Sequence, residues 1–208
     1  MKKLLVIVFL LIFQFSFSQS GNVVIKGNVK SVSGKMYLYE ILGSESFLID
    51  SAIVQNKSFQ FKSRNFVLGY YKLALSNESN SVEIVVNPNE NSVLDINFSQ
   101  YRLTTDYSVK NSEENKVKKM YNQKMAEIEK QVNSNKRNTS LSVDVRRQNN
   151  TDLQQQLLDY ANELVKLYPT TYTGKVLSHA VSPYQDVSHK FFDDIDFSDE
   201  TIIRSNLM

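Results

Sequence analysis

The chain has 208 residues and no cysteine or tryptophan, with only two histidines, three prolines and six glycines. Zero cysteine excludes disulfides, dithiol redox chemistry, iron–sulfur and thiolate-zinc sites, and a cysteine nucleophile. The six glycines are scattered, so no glycine-rich phosphate loop is present. Neither sign of charge dominates, at 24 Lys and Arg against 22 Asp and Glu. A length of this order suits one domain or two small ones and excludes a large multidomain machine.

One apolar run stands out. Met1-Lys2-Lys3 is a short basic opening, Leu4 to Phe13 is unbroken apolar sequence, and Ser16-Phe17-Ser18 offers small residues where a signal peptidase reads. Residues 1–18 therefore read as a secretory signal peptide, shorter than the roughly 20 apolar residues that a membrane span needs. Cleavage after Ser18 would leave Gln19 first, and no cysteine follows to take a lipid, so no stable membrane anchor is expected. Loss of Lys2 and Lys3 leaves 22 basic against 22 acidic residues, a formal charge of zero. A neutral chain has no global field to draw nucleic acid or an anionic membrane. The expected location is the periplasm or cell surface of a Gram-negative bacterium, where the Asn-x-Ser/Thr triplets at Asn77, Asn97, Asn138 and Asn149 carry no glycosylation signal.

From Val23 to Val109 short apolar runs of period two alternate with Ser, Asn, Gly and Lys turns. The predicted strands are 23–30, 35–42, 47–54, 58–62, 70–76, 82–87, 93–98 and 102–109. Gln55-Asn56-Lys57 predicts a tight hairpin, and Asn87-Pro88-Asn89-Glu90-Asn91 a longer one. Near Asn111 the period changes. Asn111 with Glu114 gives an N-cap signal, followed by Val117, Tyr121, Met125, Ile128 and Val132 on one helical face. Asn133 to Asn138 reads as a loop. A second helix begins at the latest at Thr151, with Leu153, Leu157, Ala161, Leu164 and Tyr168 apolar, and Pro169 ends it. A third fits 171–181, and Ser198-Asp199-Glu200 starts a fourth. The expected fold is α+β: an antiparallel β-sandwich or open barrel of about eight strands at 19–110, then three to four helices at 111–208.

No arrangement of side chains dictates a reaction. Ser178, His179 and His189, with Asp186, Asp193, Asp194 and Asp196, lack the Gly-x-Ser-x-Gly elbow of a hydrolase. The two histidines stand ten apart rather than at the i, i+4 spacing of a zinc helix. The acidic stretch 193–200 lacks the pattern of a calcium loop and reads as a solvated turn with favourable charge at a helix start. A carboxylate pair for sugar cleavage cannot be picked out. No catalytic, metal or cofactor residue is therefore assigned. Basic residues between Lys110 and Arg147 (Lys116, Lys118, Lys119, Lys136, Arg137, Arg146, Arg147) suit either an acidic partner or an ordinary solvated helix face. Among the tyrosines Tyr37, Tyr39, Tyr70, Tyr71, Tyr101 and Tyr107, the set Tyr70, Tyr71, Tyr101 and Tyr107 is the candidate ligand or partner surface, against the ordinary role of strand tyrosines in packing.

The order of parts carries a resemblance. Val24-Ile25-Lys26-Gly27-Asn28-Val29, Met36-Tyr37-Leu38-Tyr39, Leu48 to Val54 with Ser58-Phe59-Gln60-Phe61, and Gly69-Tyr70-Tyr71-Lys72-Leu73 follow one another as in a known β domain. This succession resembles the N-terminal domain, of unassigned function, of exported bacterial thiol-disulfide oxidoreductases of the TlpA/ResA (AhpC/TSA-type) kind. The stretch Tyr160 to Pro169 with Thr171-Tyr172, and Asp193 to Ser198, is similar to the helical connector those proteins place before their thioredoxin-like domain. In that family Cys-x-x-Cys carries the reaction, and this cysteine-free chain offers no position to receive a catalytic role. Asp50-Ser51 matches a recurrent dipeptide and reads as a strand element.

The resemblance implies a truncation at the C-terminus before a redox domain, and a non-catalytic periplasmic accessory or interaction role. Its partners would be envelope proteins or a missing thioredoxin-like domain, with the helices as spacer or homodimer contact and no nucleic acid. The other reading is a stand-alone extracytoplasmic sandwich that binds glycan or peptide.

Overall fold

Alternating apolar and polar residues lay out the first half of the chain as strands, and the computed structural model describes residues 20–180 apart from 31–32, 77–78 and 105. The strands are β1 (Ser20–Asn28), β2 (Ser33–Leu42), β3 (Glu45–Gln55), β4 (Ser58–Gln60), β5 (Arg64–Val67), β6 (Gly69–Leu75), β7 (Ser81–Val86), β8 (Val93–Phe98) and β9 (Tyr107–Val109). Three helices follow: α1 (Glu113–Arg137), α2 (Val143–Leu167) and α3 (Tyr172–Ala180). The α+β order, a β domain and then helices, is the expected one. Residues 1–18 and the region of the fourth predicted helix lie outside the described residues.

The strands form one curled sheet in the order β7-β6-β2-β3-β4-β1-β8-β9, with β5 on the first residues of β1. Pairing is antiparallel except between β1 and β8, which run parallel from Val24↔Val93 to Asn28↔Asn97. One interior cluster draws on all nine strands, including Ile25, Leu38, Val54, Phe59, Phe66, Leu73, Ile84, Ile96 and Tyr107. Each such side chain contributes roughly 1.5–3 kcal/mol on burial. The open barrel, rather than two stacked sheets, is therefore the form taken. Gly27 is required where β1 meets β8, because a Cβ there would lie 2.0 Å from the Ile96 carbonyl oxygen.

Asn56 (φ 51°) and Lys57 (φ 65°) form the expected two-residue hairpin between β3 and β4. The turn at Asn87–Asn91 exists, with the Asn87 carbonyl accepting from Glu90 at 3.1 Å. It is not a hairpin, since β7 and β8 stand far apart in the sheet. β5 was not expected: its four residues are too few to display a period, and its identity comes from pairing with Ser20–Val23. Of the predicted strand 102–109 only Tyr107–Val109 is extended, while Leu103 plugs the interior and donates its N–H to Asn80 Oδ1 at 2.9 Å.

β6 is buried on both faces because its outer side is covered too. Ile41, Tyr70 and Val85 pack there against Tyr172 and Val176 of α3. α1 contacts both β7 and β9, the two ends of the sheet order, and so spans the opening of the barrel. Its N-cap is Ser112, not Asn111, with Ser112 Oγ accepting from the Asn115 N–H at 3.1 Å. α1 also continues through the predicted loop to Arg137, and α2 starts at Val143, ahead of the latest start expected at Thr151. Asn135 explains the longer α1. Its side chain faces α2 and donates to Arg146 O at 2.8 Å and Asn150 Oδ1 at 2.7 Å, so polar residues fill the helix–helix seam that a hydrophobic pattern would have marked.

Candidate functional site

The four tyrosines singled out in the sequence do not share a surface. Tyr71 and Tyr107 belong to the barrel interior, Tyr70 lies beneath α3, and Tyr101 alone of the four is exposed, at 61%. Tyr71 stacks edge-on with Phe66 at 5.2 Å and donates to Val67 O at 2.9 Å. Tyr70 stacks on Tyr172 at 5.0 Å with Lys118 Nζ 4.0 Å above its ring. Burial raises the Tyr70 phenol and pushes Tyr107 up to about 12. Packing is the role the structure gives these three, and they form no platform.

His179 is exposed in the last turn of α3, and Ser178 Oγ donates to Lys175 O at 2.7 Å within the same helix. Asp186, His189, Asp193, Asp194 and Asp196 lie outside the described residues. Among the described residues no three His, Asp or Glu side chains gather as a metal site. Asp50-Ser51 is a strand feature: Asp50 Oδ1 accepts from the Ser51 N–H at 2.7 Å. It follows the bulge opposite Leu38/Tyr39, where the Ile49 carbonyl accepts from Arg64 Nη1 at 2.7 Å.

A depression of about 510 Å³ lies across β3, β4, β1 and β8. Lys26, Asn28, Gln55, Ser58, Gln60 and Asp95 line it, beside the exposed Ile53. Two internal bonds already engage this wall, Ser58 Oγ to Asn28 Oδ1 at 2.9 Å and Lys110 Nζ to Asp95 Oδ2 at 2.8 Å.

Buried polar side chains gather at the joint between barrel and helices. Asn115 Oδ1 accepts the Val85 N–H at 2.9 Å, and Asn115 Nδ2 donates to Val85 O at 2.8 Å. One amide side chain thus completes the edge of β7 as a neighbouring strand would. Beside it, the Glu114 carboxylate accepts the Tyr172 N–H at 2.9 Å, the Thr173 N–H at 3.4 Å and Asn87 Nδ2 at 3.0 Å, capping the start of α3. Glu90, from the β7–β8 turn, accepts the Glu113 and Glu114 N–H groups and Ser112 Oγ, capping α1. Burial raises the Glu114 pKa against the pull of its Tyr172, Asn87 and Thr173 donors, and the charge of Glu90 adds to the rise.

Lys118 and Lys119 extend the joint to the two sheet edges. Lys118 Nζ meets Glu83 of β7 at 2.9 Å. Lys119 Nζ meets Asp106 at 3.1 Å and donates to Tyr107 O of β9. The Ser99 hydroxyl, then Lys119, holds the Asp106 carboxyl below its ordinary range. The capping signal around Asn111 and Glu114 located this region in the sequence. The partnerships of Glu90, Glu114 and Asn115 were beyond it, because each spans 22 or more residues of chain.

Residues 23–117 match the family model described as Domain of unknown function (DUF4369). The matched stretch is just under half of the chain and ends inside α1. It takes in the barrel and the joint residues Glu90, Ser112, Glu114 and Asn115, and leaves out the remainder of the helices. No curated protein and no solved structure matches the chain. The absence of cysteine means that this chain carries no thiol redox catalysis, and among the described residues no helix is long and apolar enough to cross a membrane.

Proposed function

We propose that this chain is an exported, non-catalytic interaction module, akin to the front portion of a TlpA/ResA-type thiol-disulfide oxidoreductase without the Cys-x-x-Cys domain. The barrel serves as a base, and the helices hold an envelope partner or a thioredoxin-like domain at a fixed distance and angle. The joint is the observation that supports this reading. Two helix starts and one sheet edge are locked by the half-buried Glu90 and the buried Ser112, Glu114 and Asn115, an arrangement suited to presenting something rather than to turning over a substrate. The test is photo-crosslinking in the native envelope from exposed positions on the barrel (Lys62) and on α2 (Leu158). A protein whose N-terminus is Gln19 and which crosslinks reproducibly through α2 to one envelope protein supports the proposal. A chain that keeps Met1 and stays in the cytoplasm overturns it.

The depression around Lys26 and Gln60 favours the second reading, a binder of glycan or peptide. Chemical-shift changes confined to those residues on titration with a glycan or peptide panel would support it, and their absence across the panel would remove it.

A further inference from the structure

The zero net charge of residues 19–208 conceals a polarity. Residues 130–150 hold Lys130, Lys136, Arg137, Arg146 and Arg147 against Asp144 alone, five minus one or +4, so the rest of that span carries −4. The fold gathers this charge at one place. α1 and α2 are an antiparallel pair, and the Asn135 bonds to Arg146 O and Asn150 Oδ1 set the last turn of α1 against the first turns of α2. Lys136, Arg137, Arg146 and Arg147 therefore all stand at the far end of a two-helix arm. At 1.5 Å per residue, that end is roughly 28 Å along α1 from Lys118, where the helix touches the barrel.

Asp144 is the one carboxylate between 133 and 148, with Glu129 and Asp152 the next along the two helices. Among the described residues Lys130, Lys136, Arg137 and Arg146 form no ion pair, and Arg147 reaches Asp144 at 3.4 Å with both side chains largely in water. Lys136 and Arg137 complement the dipole at the end of α1, but helix stability does not account for Arg146 and Arg147, which sit near the positive end of the α2 dipole. Two aliphatic side chains project from the same turn, Val143 at 60% and Val145 at 44% exposure. Cations interleaved with exposed aliphatic groups fit a surface that offers anionic headgroups with hydrocarbon behind them.

We infer that the tip of the α1–α2 arm is a docking site for an anionic phospholipid surface. The occupant follows from charge complementarity together with Val143 and Val145, which an acidic polypeptide would not require. Each cation near such a surface strengthens binding by about fivefold. Vesicle binding is a property of the arm itself and stands or falls separately from export and from redox kinship.

The experiment is co-sedimentation of the chain from Gln19 to Met208, which contains every described residue, with phosphatidylglycerol-containing and pure phosphatidylcholine vesicles. The expected result is binding to the anionic vesicles alone, weakening as salt rises. The quadruple variant Lys136→Gln, Arg137→Gln, Arg146→Gln, Arg147→Gln should lose about a hundredfold or more, and Val143→Ser with Val145→Ser a smaller but measurable factor. Lys57→Gln with Lys62→Gln, on the barrel, should change little. Failure of the unmodified chain to bind anionic vesicles, or undiminished binding by the quadruple variant, overturns the assignment. So does tighter binding to polyglutamate than to the vesicles, which would make the tip a site for acidic polypeptide.

Discussion

Replacing Asn115 with alanine removes the side chain that closes the edge of β7. Val85 is fully buried, and its N–H and C=O both turn away from β6 toward α1, where Asn115 is their partner at 2.9 and 2.8 Å. Alanine leaves both groups buried without a partner, at about 1–3 kcal/mol each, so the loss should be about 2–6 kcal/mol. Asn115→Asp should not rescue it. One carboxylate oxygen can still accept from the Val85 N–H, but the other would face the Val85 carbonyl oxygen and Ser112 Oγ, where the amide now donates at 2.9 Å to the hydroxyl. Gln123→Ala, at an exposed position on the same helix, provides a control expected to stay within about 0.5 kcal/mol of the parent. Urea denaturation measures the loss, and hydrogen exchange reports the Val85 amide, which should lose protection first. An Asn115→Ala protein within about 0.5 kcal/mol of the parent, with the Val85 amide still protected, would refute the claim that this side chain completes the sheet.

Three further outcomes follow from the same geometry. Because burial raises the Glu114 pKa in the folded state, folding is favoured below the ordinary carboxylate value and that contribution is lost as pH rises through the folded value; Glu114→Gln should flatten this part of the stability profile in urea titrations at a series of pH values. Gly27→Ala drives a Cβ into the Ile96 carbonyl, which is backbone and cannot swing aside, so thermal melts should show a loss of about 2–4 kcal/mol. In an alkaline absorbance titration Tyr107, which burial raises to about 12, and Tyr70, which burial also raises, should resist ionisation until above the ordinary phenol range of about 10; ionisation of both within that range in the folded protein would contradict the packing described.

The strands legible in the sequence are those with one face in the barrel, such as β4 with Phe59 and β8 with Leu94, Ile96 and Phe98, because period-two burial is a local property. β5 was illegible because four residues cannot show a period and its order comes from a partner more than forty residues earlier. The last turns of α1, 133–137, read as a loop in the sequence because Asn135 meets Asn149 and Asn150 of α2 there, and a pattern of apolar residues cannot register a polar interface. For the candidate site the limit was the same in kind. A tyrosine in an alternating strand can face either side, and only the covering helix α3, whose position depends on Glu114, decides that Tyr70 is interior. The charge cluster, by contrast, was visible as composition, and the fold added its gathering at one end of the arm.

An arm that presents a partner at a fixed angle requires barrel and helices to form one rigid unit. The absence of native cysteine allows spin labels to be placed cleanly by substitution, with Lys62→Cys on the barrel and Gln148→Cys near the tip of the arm. A pulsed electron-resonance distance between them should give a single narrow distribution that broadens when Asn115→Ala is added. A broad distribution in the protein with Asn115 intact would mean that the arm moves freely on the barrel, and would contradict a fixed presenting module.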